Sequence, residues 1–331
     1  MNTVSLGIIG AGRIGKLHTE NLMRMSDVVV EMIYDPFLDS AWAESHELRV
    51  VRKMEDIFSS NTINGVLIFS PSNFHADQII QAARAGKHIF CEKPIALDPA
   101  EINTVLDTVR ENNVKLQLGF NRRFDPDFKR LKDIVVQGEI GQLYMIRITA
   151  RDPSPPPPEY IRSSGGIFLD MTIHDFDMVR YLSDSEVVEV YARGAVLVDP
   201  VFKEAGDIDT AITIMSLKNG ALAVIDNSRQ AVYGYDQRIE VFGSKGSIVA
   251  ENNTETQTVL TTAKGVKSDR PLDFFLKRYQ TSYRAEMRAF IRALKTGADP
   301  LVTGEDGLKS ILIGLAAGQS LKENRPITVE S

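Results

Sequence analysis

Short apolar runs alternate with helical repeats through the first third of the chain. Val4–Ile9 is apolar and ends in glycines, Lys16–Met25 carries helical spacing, and Val28–Tyr34 is β-rich and stops at Asp35-Pro36. The alternation continues with a strand over Gly65–Phe69, a helix over His75–Ala85, a strand over His88–Cys91, a helix over Pro99–Asn112 and a strand over Lys115–Gly119. Short buried strands interleaved with amphipathic helices predict an α/β, doubly wound parallel sheet.

The pattern changes after about residue 125. A helix over Asp127–Gln137 leads into Leu143–Arg151, and longer strand-like runs follow at Val187–Arg193, Thr210–Leu217, Ala221–Asp226, Arg238–Gly243 and Thr256–Thr262. Turns such as Lys218-Asn219-Gly220 separate several of them. This predicts an α+β region with a large, mostly antiparallel sheet. Helices at Tyr283–Lys295 and Gly307–Lys322 and a strand at Ile327–Glu330 close the chain. Met145, Val190, Ile212 and Ile214 place apolar side chains on both faces of that sheet, so helices must cover one face and a second subunit part of the other.

Composition narrows the class. The 331 residues suit two domains better than one core, and 43% hydrophobic with 25% charged residues is ordinary for a globular chain. A net charge of −6 without a basic block argues against nucleic acid. The one cysteine, Cys91, excludes an internal disulfide, and no apolar run reaches the roughly 18 residues of a membrane helix, so a cytoplasmic protein is expected. Neither does Val4–Ile9 have the length or cleavage pattern of a signal peptide.

Gly10-Ala11-Gly12-Arg13-Ile14-Gly15 is a GxGxxG turn that leaves a strand and opens a helix, the context a dinucleotide site needs. Its glycines allow a tight turn, close approach of a pyrophosphate and close helix–sheet packing, while the helix N-terminus attracts phosphate. Asp35 ends the second strand, about 20 residues on, where a carboxylate hydrogen-bonds the adenosine ribose and repels a 2′-phosphate. The expected cofactor is NAD rather than NADP. Ser70, Asn73 and His75 follow the next strand at the same sheet edge. They either line the cofactor or start a helix that Ser72 or Asn73 caps.

Glu92-Lys93-Pro94 ends the strand His88–Cys91, which puts a lysine at the mouth of the sheet. Further on, Gly165–Met178 reads as a helix after a flexible entry, with Asp170 and His174 four apart on one face and Asp177 nearly so. A carboxylate beside an imidazole fixes its tautomer, and an unperturbed histidine pKa of about 6.5 suits a proton acceptor. A plain helix start with dipole-complementing acids is the other reading. No Cys/His cluster completes a metal site, so no metal is expected.

These motifs, with Gly119–Asp125, Arg151-Asp152-Pro153 and its proline run, Ser164–Asp177 and Tyr233-Gly234-Tyr235-Asp236, resemble the Gfo/Idh/MocA family of nicotinamide-dependent oxidoreductases over essentially the whole chain. The inositol-type branch is the most similar. The resemblance implies an NAD-binding Rossmann domain over residues 1–122 and a substrate-binding, oligomerising domain over 123–331. It implies that Lys93, Asp170 and His174 are catalytic, with His174 as base, Asp170 orienting substrate and Lys93 steadying the reacting oxygen. Gly10, Gly12, Arg13, Ile14, Gly15, Asp35, Ser70, Asn73, His75, Glu92, Lys93 and Arg122 would line the cofactor.

A polyol pocket needs paired polar groups, and Arg122, Asp152, Tyr233 and Tyr235 are candidates beside the catalytic three. Arg122 could equally be an interdomain salt bridge, and Asp152 a turn residue. Tyr233 and Tyr235 would share a face if their segment is extended. The proline run is either a pocket wall, an intersubunit strap or a rigid surface loop. The expected activity is NAD-dependent oxidation of myo-inositol at a CH–OH. Another polyol or sugar is the first alternative and a non-catalytic NAD-binding sensor the second. A homotetramer is implied, without nucleic-acid or membrane partners.

Overall fold

The computed structural model describes residues 3–330. The chain forms two compact units. The first runs to Asn121 and takes in Ser282–Leu308, and the second comprises Arg122–Thr281 with the chain from Lys309 onward. The contiguous division at 122/123 read from the sequence therefore misses a segment that returns to the first unit. The reason is physical: one side of a buried parallel sheet needs a helix, and a late one supplies it.

The first unit holds a five-stranded parallel sheet. Its strands are β1 (Val4–Ile9), β2 (Val28–Tyr34), β3 (Gly65–Ile68), β4 (His88–Cys91) and β5 (Leu116–Leu118), in the order β2-β1-β3-β4-β5. The strand order reverses between β1 and β3, and ligands of open α/β sheets bind at the carboxyl ends beside such a reversal. Leu6, Ile8, Leu67 and Phe90 are buried in one core with Met287, Phe290 and Ile291 of the returning helix, Gln280–Thr296. That helix is amphipathic, and its apolar stripe is what the sheet face recruits. Asp98 caps the helix Pro99–Glu111 by accepting from Ala100 N–H at 2.9 Å, with Pro99 at the position where a missing N–H costs nothing.

The second unit is built on seven strands: β6 (Leu143–Arg151), β7 (Val187–Ala195), β8 (Thr210–Leu217), β9 (Leu222–Ser228), β10 (Asp236–Gly243), β11 (Gly246–Ala250) and, beyond a separate hairpin, β14 (Ile327–Thr328). Their order is β11-β10-β6-β9-β8-β7-β14, antiparallel throughout except for the parallel β6–β9 pair. Ile146, Ile148, Ala223, Ile225, Val190 and Ala192 are buried on one face, and the helix Ile173–Ser183 packs against β6. On the opposite face Ile212, Ile214 and Phe242 remain 53%, 47% and 46% exposed.

Two expected elements differ. The run at Thr256–Thr262 does not join the large sheet. It yields β12 (Val259–Thr262), which pairs only with β13 (Gly265–Ser268) in an exposed ribbon. β11, absent from the sequence reading, is a hairpin partner of β10 across a tight turn at Ser244-Lys245. Its five residues, Gly246–Ala250, hold one polar side chain and only Ala250 is buried, so no alternation marks a strand.

Candidate active site

In the first unit, backbone geometry shapes the glycine turn. Gly10 sits at φ +95°, and a Cβ there would lie 2.6 Å from the backbone of Phe69 and Ser70. A Cβ on Gly15 would come within 2.2 Å of the Gly10 carbonyl oxygen. Gly12 differs: it is the N-cap of the helix Arg13–Met23, no side chain caps that end, and a Cβ there would meet nothing within 4 Å. The turn is thus packed tight on its inner side and open at the helix N-terminus, the cradle a pyrophosphate requires. Asp35 holds the cradle, accepting from Ala11 N–H at 2.6 Å and from Phe37 N–H at 2.7 Å. Each carboxylate oxygen keeps a lone pair for a ribose hydroxyl. Arg13 and Ile14 form the first turn of the helix that follows.

The segment after β3 behaves differently from expectation. Neither Ser72 nor Asn73 caps a helix; they form a short 3₁₀ turn, Ser72–Phe74, and no side chain caps His75–Arg84. His75 is buried, with Nδ1 at 2.7 Å from the Pro94 carbonyl and Nε2 at 2.8 Å from the Ser70 carbonyl. Burial lowers its pKa, although both carbonyls pull the other way. Both nitrogens are engaged, so His75 braces two loops together instead of presenting a ring to a ligand. Ser70 donates its hydroxyl to Gln78 at 2.6 Å. Lys93 is joined to Pro94 by a cis peptide, and Glu92 turns its carboxylate inward, 3.4 Å from His18 Nε2.

In the second unit, charged side chains do the shaping. Asp170 and His174 do not share one helix: Asp170 ends a single turn, Ile167–Asp170, and His174 is the second residue of Ile173–Ser183. The break lies at Met171-Thr172. There Thr172 N–H reaches back five residues to the Ile167 carbonyl at 2.9 Å, while its hydroxyl donates to Asn227 at 2.8 Å. This wide turn is why the four-residue spacing does not translate into one regular face. The entry turns through Gly165 and Gly166, both at φ +86°, and Asp207 accepts from Ile167 N–H at 3.1 Å.

Asp170 is held at both oxygens. Tyr160 donates to Oδ1 at 2.7 Å and Arg229 to Oδ2 at 2.8 Å. Arg229 also donates to Asp152 at 3.2 Å, so one buried guanidinium ties two carboxylates. Burial raises the Asp152 pKa against the pull of Arg229, and burial with the Asp170 charge raises that of the Tyr160 phenol. Tyr160 sits on the helix Pro158–Ser163, which the proline run delivers with Pro158 at its first position. Below His174, buried Asp175 pairs with Arg122 and accepts from Asn227 at 2.9 Å, and Asp177 pairs with Arg123 at 2.6 Å. Burial works against the Arg122 charge, yet Tyr279 and Asp175 hold its pKa above the ordinary value. Arg122 and Asp175 both lie in the second unit, so their pair braces that unit.

Tyr233 and Tyr235 do not share a face. Gly234, at φ +136°, turns the segment. Tyr235 is 7% exposed and packs edge-on against Tyr279. Tyr233 is 40% exposed, donates to Asp236 at 2.5 Å and accepts from Arg151 at 3.1 Å. The sequence reading missed Arg229 and Tyr160. Neither lies in a recognisable motif: Arg229 stands four residues before the Tyr-Gly-Tyr turn, and Tyr160 follows the proline run. A set of buried carboxylates, each with spare acceptor lone pairs and fixed by arginines, can receive several hydroxyls at once.

Comparison with known proteins agrees with this geometry. Residues 4–120 match the oxidoreductase family with an NAD-binding Rossmann fold, and residues 128–249 the GFO/IDH/MocA C-terminal domain. The chain is 49% identical to the myo-inositol 2-dehydrogenase of Thermotoga maritima, covering 98% of each protein, and 44% identical to the inositol 2-dehydrogenase of Rhizobium meliloti, covering 99% of each. A solved scyllo-inositol dehydrogenase from Lactobacillus casei, with bound NAD(H) and scyllo-inositol, superposes with a TM-score of 0.92 at 32% identity over 100% of both chains. The two family matches and this full-length likeness establish that the chain belongs to the Gfo/Idh/MocA family of NAD-binding oxidoreductases.

Proposed function

We propose that the protein is an NAD-dependent inositol 2-dehydrogenase that oxidises myo-inositol to its 2-keto form, scyllo-inosose. The observation that carries this is the full-length similarity to two proteins named for inositol 2-oxidation, at 49% and 44% identity. NAD, when bound, supplies the acceptor for the hydride that leaves the carbinol carbon. His174 takes the proton of the reacting hydroxyl, and Lys93 donates to that oxygen and steadies its developing charge. Asp170, fixed by Tyr160 and Arg229, orients the substrate hydroxyls, and Asp152 accepts a further one. Arg122 acts indirectly, by locking Asp175 next to His174 in the chain. Tyr233 is the tyrosine that remains for substrate, since Tyr235 is core.

A second reading keeps the chemistry and changes the isomer. The Lactobacillus casei neighbour is named for scyllo-inositol and the Thermotoga maritima relative for myo-inositol, epimers at a single carbon, so the choice of isomer falls to the pocket side chains. Following NADH absorbance with myo-inositol, scyllo-inositol, an aldose and an acyclic polyol separates these readings. Fastest turnover of myo-inositol is expected, preference for another member of the panel reassigns the substrate, and no turnover with any favours a non-catalytic NAD sensor.

The uncovered Ile212, Ile214 and Phe242 support a homotetramer assembled through the open face of the large sheet. Light scattering is expected to give four times the 36.8 kDa chain mass; a monomer at micromolar concentration would exclude it. A cytoplasmic location fits the single, buried, unpaired Cys91, and no helix among the described residues is long and apolar enough to cross a membrane.

A further inference from the structure

Directly behind Lys93 lies a buried cluster that the proposed chemistry does not use. His18 comes from the helix that follows the glycine turn, Glu92 from the end of β4, and Glu286 from the returning helix Gln280–Thr296. All three belong to the first unit. His18 Nε2 lies 3.4 Å from Glu92 Oε1 and 3.5 Å from Glu286 Oε1. His18 and Glu286 have no solvent exposure. Neither His18 ring nitrogen, nor Glu92 Oε1, nor either Glu286 carboxyl oxygen makes a hydrogen bond of ordinary geometry.

The arrangement is nevertheless tightly determined. The His18 imidazole stacks on Phe69 with centroids 4.8 Å apart and planes 8° from parallel, and meets the Tyr283 ring edge-on at 5.4 Å. Phe90 closes a third side at 5.7 Å. Glu92 fills the space left by Gly119, where a Cβ would come within 2.8 Å of its Oε2. Two ionised carboxylates sharing such a site would leave uncompensated buried charge, which is costly. Burial raises the Glu286 pKa well above its ordinary value and the Glu92 charge adds to this, which shifts the balance toward a protonated Glu286 carboxyl beside the His18 ring. Cys91 and His75 also sense the Glu92 charge.

We propose that His18, Glu92 and Glu286 form a proton-sharing brace that fixes the Glu92-Lys93 backbone and thereby positions Lys93 for the reaction. The inference rests on the reading of Lys93 as the cation beside the reacting oxygen. The three donors are also close enough to one another for a divalent cation. A proton is favoured because Phe69, Phe90 and Tyr283 surround the imidazole with hydrocarbon, whereas an ion on three protein donors keeps a water or substrate in a fourth position.

The test is a double-mutant cycle in the full-length enzyme with NAD and myo-inositol. Glu286→Leu is expected to lower kcat by about 10-fold with little change in NAD affinity or melting temperature, while the neutral isostere Glu286→Gln stays within about threefold of the parent. In a Lys93→Met background Glu286→Leu is expected to cost nothing more, a non-additivity that loss of packing alone does not produce. If Glu286→Leu does not fold, His18→Gln is read in the same cycle. Near-normal kcat in Glu286→Leu, additive losses in the double variant, or one equivalent of divalent metal in the purified parent protein that Glu286→Gln loses would each overturn the brace. Failure of the underlying reading shows elsewhere, as undiminished turnover in Lys93→Met alone.

Discussion

The two units shape their sites by opposite means. In the first, the backbone makes the cradle: Gly10 and Gly15 are fixed by atoms 2.6 and 2.2 Å from where a Cβ would stand, and Asp35 ties the turn through N–H groups. In the second, pairs of buried ions do the same work: Arg229 with Asp152 and Asp170, Arg122 with Asp175, and Arg123 with Asp177. A cofactor common to many enzymes calls for a shape that main chain supplies cheaply, while a polyhydroxylated substrate calls for many directed acceptors, which only side chains supply. The first kind of site fails sterically and the second electrostatically.

The largest expected effect tests the electrostatic side. Arg229→Leu removes one buried guanidinium and leaves buried Asp170 and half-buried Asp152 without it. Breaking a buried pair from one side typically costs about 3–5 kcal/mol, because the surviving charge stays desolvated. Denaturant unfolding of the second unit should show a loss of that order, and KM for inositol should rise in whatever fraction remains folded. An equivalent loss from Arg229→Lys would be informative too, since a lysine cannot span both carboxylates in the same fork. If Arg229→Leu unfolds no more easily than the parent, the ion pairs are ornaments on a site held by the sheet.

Next in size is His174→Ala. It should lower kcat by about 10²-fold while leaving NAD affinity unchanged, because the base role proposed for it bears on the transition state and the glycine cradle lies in the other unit. Calorimetric titration with NAD alongside turnover measures both. Weakened NAD binding would mean that the division of labour between the units is not as clean as their construction suggests.

How much of this was legible in the sequence follows the same division. The parallel sheet, its strand limits and the glycine cradle could be read because they depend on local spacing: apolar runs, glycines at fixed offsets and one carboxylate at a strand end. The mostly antiparallel sheet was legible as a class, but β11 and the separate β12–β13 ribbon were not, since exposed strands lose the alternation that burial imposes. The Asp170–His174 spacing suggested one helix face. It could not reveal the five-residue reach at Thr172, which depends on Asn227 far along the chain. Arg229, Tyr160, His18 and Glu286 were invisible for the same reason: each is meaningful only through a partner that tertiary folding brings to it.

The smallest effect is the sharpest test of the steric side. Gly12 has an unstrained φ of −68°, and an added methyl would meet no protein atom, so Gly12→Ala should leave the melting temperature within a degree or two. The methyl would instead occupy the open side of the turn, where the phosphates approach the helix N-terminus, and NAD affinity should fall by about 10-fold. Gly15→Ala reverses the pattern. Its Cβ would press to 2.2 Å of the Gly10 carbonyl oxygen, so the loop must move and the folded unit should lose stability whether or not NAD is present. Fluorescence titration with NADH and thermal melts on the two variants separate these costs. Should Gly12→Ala bind NADH as tightly as the parent, the open side of the turn is not where the pyrophosphate rests, and the backbone cradle would have to be placed elsewhere along the same sheet edge.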